Sequence, residues 1–493
     1  MSATVGQRRA DGRADANGGG GGSRRRGVPR VEHPSPAERA ARGKAARSEI
    51  RRGVHGRWEP APDRGDPVDL LEAQARTRLP ELIPIRYGRM LVSPFTFFRG
   101  AALLMASDLS QGPHTGLEVQ LCGDAHLSNF GVFAAPDRRL VFSVNDFDET
   151  LPGPFEWDLK RLVASFAVAG RDRGFDTDRR REINLTAARA YREAMHRFAE
   201  MRTMDLWYTR LAVDDIEDRW SGQASRKQRE RFARGVAKAR SKDSLRAMGK
   251  LTHVVDGERR ILSDPPLIVP IEEATGGADL ESLDAFVHGV VRSYRRTLSG
   301  DRRRLLERFR YVHAARKVVG VGSVGTRAWV VLLLGRDDED PLLLQAKEAE
   351  ASVLEPFLGD SAFANHGQRV VEGQRLVQSA SDIMLGWISV EGIDGVKRDF
   401  YLRQLWDAKG SAAVEVMTPS GMRAYAQACG WTLARGHARS GDAIAIASYL
   451  GGGRAFDRAM ADFAETYADQ NERDYDALAD AAASGRVRAE ADR

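Results

Sequence analysis

Apolar residues recur at helical spacing in two early stretches of the chain. Over 95–109, Phe98, Ala101, Ala102, Met105 and Leu109 share one face, and over 156–169 Leu159, Leu162, Val163 and Phe166 do the same. Between them, 118–121 and 140–144 are short runs rich in β-favouring residues and predict strands. Residues 184–250 read as charged helix, and 251–270 as a hairpin turning at Asp256-Gly257. The pattern changes near residue 311. Strands are predicted over 316–334 and 341–347, broken by glycines and by the acidic turn 337–340. A helix follows over 366–378, a strand over 400–405, and helix again from 420 onward.

A chain of 493 residues is longer than one hydrophobic core usually serves, so two lobes are expected. The pattern divides them as a basic tail (1–52), a mainly helical lobe (53–310), a β-rich lobe (311–407) and helices returning to the first lobe (408–493). The glycine run 18–22, followed by Arg24, Arg25 and Arg26, offers too little apolar surface to offset chain entropy, and the tail is expected to be disordered. It also carries the net charge. Residues 1–52 hold thirteen Lys or Arg against five Asp or Glu, so of the overall +6 the other 441 residues carry about −2. A nucleic-acid footprint needs basic charge gathered on a folded face, so such contact is expected to be confined to a weak one by the tail. Cys122 and Cys429 can build neither a zinc site nor a disulfide framework. No apolar segment follows the N-terminal charges as in a secretory signal. The longest apolar run, 329–334, falls far short of the roughly 20 residues a membrane span needs. A cytoplasmic protein is expected.

The chemistry concentrates in 121–158, which reads LCGDAHLSNFGVF, LVFSVNDFDE and FEWDLKRL. Asp124 and Asn129 lie on a turn between two predicted strands, Asp146 follows the second strand, and Asp148 comes two residues later. Hard oxygen ligands of this kind suit magnesium, which is held by one or two carboxylates plus substrate phosphates. A further carboxylate outside the metal shell could orient or deprotonate a hydroxyl. The competing explanation is a polar turn with side chain-to-backbone caps.

GDAHLSNFG resembles the catalytic loop of protein-kinase-like phosphotransferases, most of all the aminoglycoside- and choline-kinase branch with its H-G-D-x-x-x-x-N pattern. NDFDE resembles that branch's metal segment and WDLKRL its later bracing segment. From about Trp58 the chain is identified as a member of the bacterial domain-of-unknown-function family 2252, on FFRGAA, GDAHLSNFG, NDFDE, EWDLKRL, RQLWDAKGS and LARGHARSGD. The resemblance implies Asp124 as catalytic Asp, Asn129 and Asp146 (with Asp148 beside it) as metal ligands, and Asp158 as a structural brace. Cys122 stands where that branch has His.

The resemblance also requires a Gly-rich strand pair and a lysine, and too little strand-like sequence precedes Asp124 to supply them. Downstream, Gly320, Gly322 and Gly325 form a G-x-G-x-x-G run before the strand-like 328–334, and LLLQAK ends in Lys347. Glycines let backbone N–H groups approach phosphate, and a lysine one strand later can reach it. A dinucleotide site is the rival, but it needs a helix directly after the glycines. A hairpin with no ligand is the other rival. Glu372 is the expected partner of Lys347, with Glu355 and Glu350 as competitors. Gln404, Leu405 and Trp406 would form the hinge against the nucleotide base. His437 reads as a surface or capping group. Arg86, Arg89 and Arg99 read as ordinary surface pairs, with substrate phosphate or acid as the alternative.

Together these imply an α+β, two-lobe protein-kinase-like fold, circularly permuted so that the catalytic-loop lobe precedes the nucleotide lobe. The expected function is ATP- and Mg2+-dependent phosphoryl transfer to a hydroxyl of a small-molecule acceptor. The alternatives are a non-catalytic nucleotide-binding regulator and nucleotidyl transfer on the same fold.

Overall fold

Residues 155–170 of the helix Phe155–Asp172 are all buried. A helix covered all round needs neighbours on every side, and Thr177–Glu200, Pro419–Ser440 and Ala455–Ala483 supply them. These helices enclose the largest apolar core of the protein. The structure is a computed structural model and describes residues 33–215, 226–241, 243–277, 280–392, 394–405 and 408–491. Within it, residues 36–493 form one unit.

The strands are β1 (Glu118–Leu121), β2 (Phe130–Ala134), β3 (Leu140–Val144), β4 (Leu151–Pro154), β5 (Leu211–Ala212), β6 (Thr252–Val255), β7 (Glu258–Ile261), β8 (Ile268–Pro270), β9 (Arg310–Lys317), β10 (Ala328–Leu334), β11 (Pro341–Ala349), β12 (Gly386–Glu391), β13 (Lys397–Gln404) and β14 (Gly410–Ser411). They form a six-stranded sheet ordered β12-β13-β11-β10-β9-β8, a four-stranded sheet β14-β2-β3-β5, and the pairs β1-β4 and β6-β7. All pairings are antiparallel, so the architecture is mixed α+β with antiparallel sheets.

Three expectations change. The single helix over 95–109 is two, Pro94–Gly100 and Ala102–Ser110, broken at Ala101, whose ψ is 35°. At the break the Gly100 carbonyl accepts from Arg86, and the Phe98 carbonyl from Arg161 as well as from the Ala101 N–H, so the apolar periodicity continues through a break supported by buried arginines. The β-rich region begins before residue 311, because β8 pairs with β9 and the helix Leu280–Arg295 brings Tyr294 into the core beneath the sheet.

The tail also ends earlier than residue 52. Pro36–Glu49 is a helix packed on Ala443–Leu450. Its buried residues are Gly43 and Ala46, and a Cβ on Gly43 would stand 2.0 Å from the Ala445 carbonyl oxygen. Close packing through small residues leaves no large apolar periodicity to read. Residues 1–32 lie outside the described residues. Among those described, no helix is long and apolar enough to cross a membrane, and both cysteines are buried thiols.

Candidate functional site

The turn after β1 is fixed from below by Asp158, in the first turn of Phe155–Asp172. Its carboxylate accepts the Cys122 N–H (2.8 Å), the Gly123 N–H (3.0 Å) and the Cys122 thiol (3.1 Å). Behind it, His437 Nε2 lies 3.2 Å from Asp158 Oδ2, and His437 Nδ1 lies 2.8 Å from the Tyr191 hydroxyl. His437 is therefore a fully buried part of the brace rather than a surface or capping group. Its partners are 279 and 246 residues away, so no local pattern could reveal them. Burial, and then the Asp158 charge, push the Cys122 thiol well up. The loop is held through the main-chain N–H groups of Cys122 and Gly123.

Asp124 sits above this brace. Its Oδ1 accepts from Arg161 Nε at 2.8 Å. The same guanidinium donates to the Phe98 carbonyl at 2.6 Å and lies 3.8 Å over the Phe98 ring. Burial raises the Asp124 carboxyl, and Arg161 and Arg99 counter it only in part. His126 Nε2 stands 3.6 Å from Asp124 Oδ2, while its Nδ1 accepts the Ser128 N–H. Burial, aided by Arg99 and Arg161, holds His126 well below its usual range, so it is neutral with its proton on Nε2. Asn129 Nδ2 donates to the Asp124 carbonyl (2.8 Å), and the Asn129 carbonyl accepts the Asn145 N–H (2.8 Å). The β2–β3 register thus sets Asn129 beside the residue preceding Asp146.

The sheet supplies the other half. Lys347, on β11 opposite Tyr401 of β13, places Nζ 2.5 Å from Asp148 Oδ2 and 3.7 Å from Asp146 Oδ1. The Tyr401 hydroxyl donates to Asp148 Oδ1 at 2.7 Å, and Ser323, inside the glycine run, reaches Asp148 Oδ2 at 3.3 Å. Burial alone would raise the Asp148 carboxyl, but Lys347 and Tyr401 hold it down at about 2. Asp146 goes the other way, raised by burial and by Asp148. Burial would depress the Lys347 ammonium, and the two carboxylates outweigh it and hold it above its ordinary value.

None of Glu372, Glu355 and Glu350 partners Lys347, whose ion pairs are with Asp148 and Asp146. Glu372 pairs with Arg375 at 3.1 Å, and Glu355 lies 3.7 Å from Arg369 and accepts the Ser352 N–H. The helix His366–Val377 turns Arg369, Val370 and Gly373 inward and leaves Glu372 half-buried on its flank. Arg369 instead donates to the carbonyls of Asp148, Thr150 and Glu350, so this helix holds the backbone that carries Asp148. Sequence reasoning missed Arg161, Tyr401, Ser323 and Arg369. Arg161 had a signal, since it lies one helical turn after Asp158 in the same motif. Tyr401 had none short of the strand register.

The glycine run is the turn between β9 and β10, with Gly320 and Gly325 at φ +69° and +94°. A strand follows it directly, not the helix a dinucleotide site requires. The turn is anchored to the helical part. Gly325 O accepts from Leu79 N at 2.8 Å, Gly320 O from Arg89 at 2.6 Å, and Val324 O from Arg78. Arg86 is fully buried, donating to Gln74 and Gly100, and is no surface pair.

Gln404 donates its N–H and its amide to Asp382, and Leu405 N–H donates to Leu343 O. Trp406 lies outside the described residues. Beside Gln404 and Leu405 is a small cavity of about 50 Å³, bounded also by Asn145, Gln374, Gln378 and Lys409. Arg403, and then burial, bring the Lys409 ammonium down to about 7.

Among the described residues no three His, Cys, Asp or Glu gather as a metal cluster. Asp146 and Asp148, side by side and about one-third exposed, form a set that magnesium could use only with phosphate and water completing its shell, while the Asn129 amide is bonded to the Asp124 carbonyl.

The protein-family model described as "Uncharacterized protein conserved in bacteria (DUF2252)" matches residues 78–481. No curated protein and no solved structure matches the chain.

Proposed function

The chain belongs to the bacterial DUF2252 family, and on that footing we propose that it is an ATP- and Mg2+-dependent phosphotransferase acting on a hydroxyl of a small-molecule acceptor. The observation that carries this reading is the meeting of Lys347 with Asp148, 199 residues away in sequence, and with Asp146 beside it. A lysine from a strand, a Ser from a glycine-rich turn and two carboxylates following the Asp124 loop are the parts that phosphoryl transfer uses.

The order of elements supports a kinase-like fold. The glycine turn joins β9 and β10, the lysine is on the next strand β11, a helix follows, and β13 leads into the connecting segment. All of this comes after the Asp124 loop in the chain, which is the basis for reading the fold as circularly permuted.

In this scheme Asp124 orients the acceptor hydroxyl or takes its proton, with Arg161 and neutral His126 fixing the carboxylate. Asp146, Asn129 and Asp148 would hold Mg2+, which would neutralise phosphate charge. Lys347 and the turn at Gly320, Gly322 and Gly325 meet the phosphates. Gln404 and Leu405 border the base. Most of the rate then comes from positioning and electrostatics. Glu372 has no part.

Asp124 is already engaged by Arg161 and Asp148 by Lys347. That observation favours, as the second reading, a nucleotide-binding regulator without turnover. A turnover assay with ATP labelled at either the γ- or the α-phosphate separates them. Transfer of the γ label to a hydroxyl compound supports the first reading, nucleotide binding without transfer supports the second, and transfer of the α label supports nucleotidyl transfer.

A further inference from the structure

Arg99 belongs to the FFRGAA stretch, in the last turn of Pro94–Gly100. Arg161 ties this turn to Asp124, donating to the Phe98 carbonyl and to Asp124 Oδ1 from one guanidinium. The glycine turn closes over the same point, since a Cβ on Gly322 would lie 3.2 Å from the Arg99 carbonyl oxygen. Arg99 is thereby held where the Asp124 loop, the brace helix and the glycine turn converge.

Its charge is unanswered. Among the described residues the Arg99 side chain makes no hydrogen bond or ion pair, and its Nε is buried without a partner. The other arginines with a buried unpartnered nitrogen all donate to the protein through another nitrogen. Asp124 attracts Arg99 through charge alone, its Oδ1 being bonded to Arg161 and no hydrogen bond or ion pair joining it to Arg99. Glu415, exposed on the rim, draws on Arg99 only at a distance. Two guanidinium groups therefore stand near one carboxylate at a half-buried place, and only Arg161 is bonded to it.

We infer that Arg99 binds an anionic group of the acceptor, a carboxylate or a phosphate, so that the acceptor is an acidic hydroxyl compound rather than an amine or sugar amine. A planar guanidinium suits either anion through paired hydrogen bonds. This inference rests on the phosphotransferase reading for the word acceptor. The nucleotide's own phosphate is the other possible source of the anion, and the experiment separates the two.

Inorganic phosphate, and choline as a cationic control, are titrated by calorimetry into the full-length protein, both nucleotide-free and saturated with Mg2+ and a non-hydrolysable ATP analogue. Phosphate should bind in both states and choline in neither. Arg99→Gln should weaken phosphate roughly tenfold or more, the loss expected for a hydrogen bond to a charged group, while leaving the analogue's affinity unchanged. Arg99→Lys, which keeps the charge, should retain part of the binding and guards against a misfolded Gln variant, with thermal melts of both alongside. Phosphate binding indifferent to Arg99→Gln, an effect of that substitution on the nucleotide alone, or binding of choline overturns the inference. If the analogue itself fails to bind, the phosphotransferase reading falls, and the anion site stands or falls on the nucleotide-free titration.

Discussion

Asp124 and Asp148 each meet a buried cation, and they come by it in opposite ways. Arg161 is 37 residues from Asp124 and stands on the helix that also carries the brace Asp158. Lys347 is 199 residues from Asp148 and arrives on a different sheet. In the first half the Asp124–Arg161 contact lies between the turn after β1 and Phe155–Asp172, with His437 bracing Asp158 from behind. The second half exists only where β11 and β13 dock against the segment after β3, with Arg369 pinning that segment's backbone. A contact made by docking can be loosened without unfolding its surroundings, whereas a contact made by a shared helix cannot. The two halves of the site should therefore respond differently to substitution.

The largest difference is expected in catalysis. Asp124→Asn should leave metal-nucleotide affinity nearly intact while turnover falls by roughly 10²–10⁴, the range for losing a general acid–base group. Asp146→Asn should lower affinity itself, since it removes a ligand carboxylate. Equal loss of binding in both variants, read by calorimetry, breaks the comparison. Next comes the brace. Asp158→Ala strips two buried N–H groups and His437 of their acceptor and should cost about 4 kcal/mol of stability, as when one partner of a buried charged network is lost. Urea unfolding measures it, and a loss below about 1 kcal/mol would mean that the loop does not depend on Asp158.

Lys347→Met should cost somewhat less, about 3 kcal/mol, and in a pH-dependent way. The Asp148 carboxyl is held down at about 2 from an ordinary 3.8. Its contribution is thus full above pH 3.8 and lost as pH falls through 2. The Lys347 ammonium is raised above its ordinary 10.5, so its contribution persists up to that pH. The stability gap between wild type and Lys347→Met should be widest between about pH 4 and 10 and close toward pH 2. A pH-independent gap would show that the lysine acts through packing rather than charge.

How far the sequence discloses this site follows the same division. β1, β3, the helix Phe155–Asp172 and the spacing of Asp124, Asn129 and Asp146 are legible because each is set by local periodicity and turn chemistry. β10 and the strand ending near Lys347 are legible for the same reason, whereas β9 lies almost wholly before the predicted start at 316. What faces Lys347 is not legible, because β11 is buried along its whole length and its pattern does not say which element docks on either face. The expected Glu372 lies one residue off the buried face of its helix. His437 reads as peripheral because its partners are remote. Pro36–Glu49 escapes because it packs through Gly43 and Ala46, which carry no apolar signal. The break at Ala101 escapes because apolar spacing runs on across it. Arg161 alone could have been found, one helical turn beyond Asp158.

The smallest expected effect concerns Glu149, between the two halves. Burial raises its carboxyl from 4.5 to about 7, with the Val353 N–H bonded to it opposing the shift. A raised carboxyl favours the folded state fully below pH 4.5 and loses that advantage as pH rises through 7. Glu149→Gln should match wild type at pH 4 and exceed it by about 1 kcal/mol at pH 8. Thermal melts at the two pH values check this, and a variant less stable at pH 8 would show that the ionised carboxylate is needed where it stands.

The account as a whole turns on whether the Asp146–Asp148–Lys347 cluster receives a nucleotide with its metal. Calorimetric titration of ATP, with and without Mg2+, into wild-type protein and Asp146→Asn tests this most directly. The account predicts binding by wild type that is strengthened by Mg2+, and loss of that strengthening in Asp146→Asn with the fold intact. Absence of binding to folded wild-type protein under both conditions, or Mg2+-dependent binding unchanged in Asp146→Asn, would contradict it.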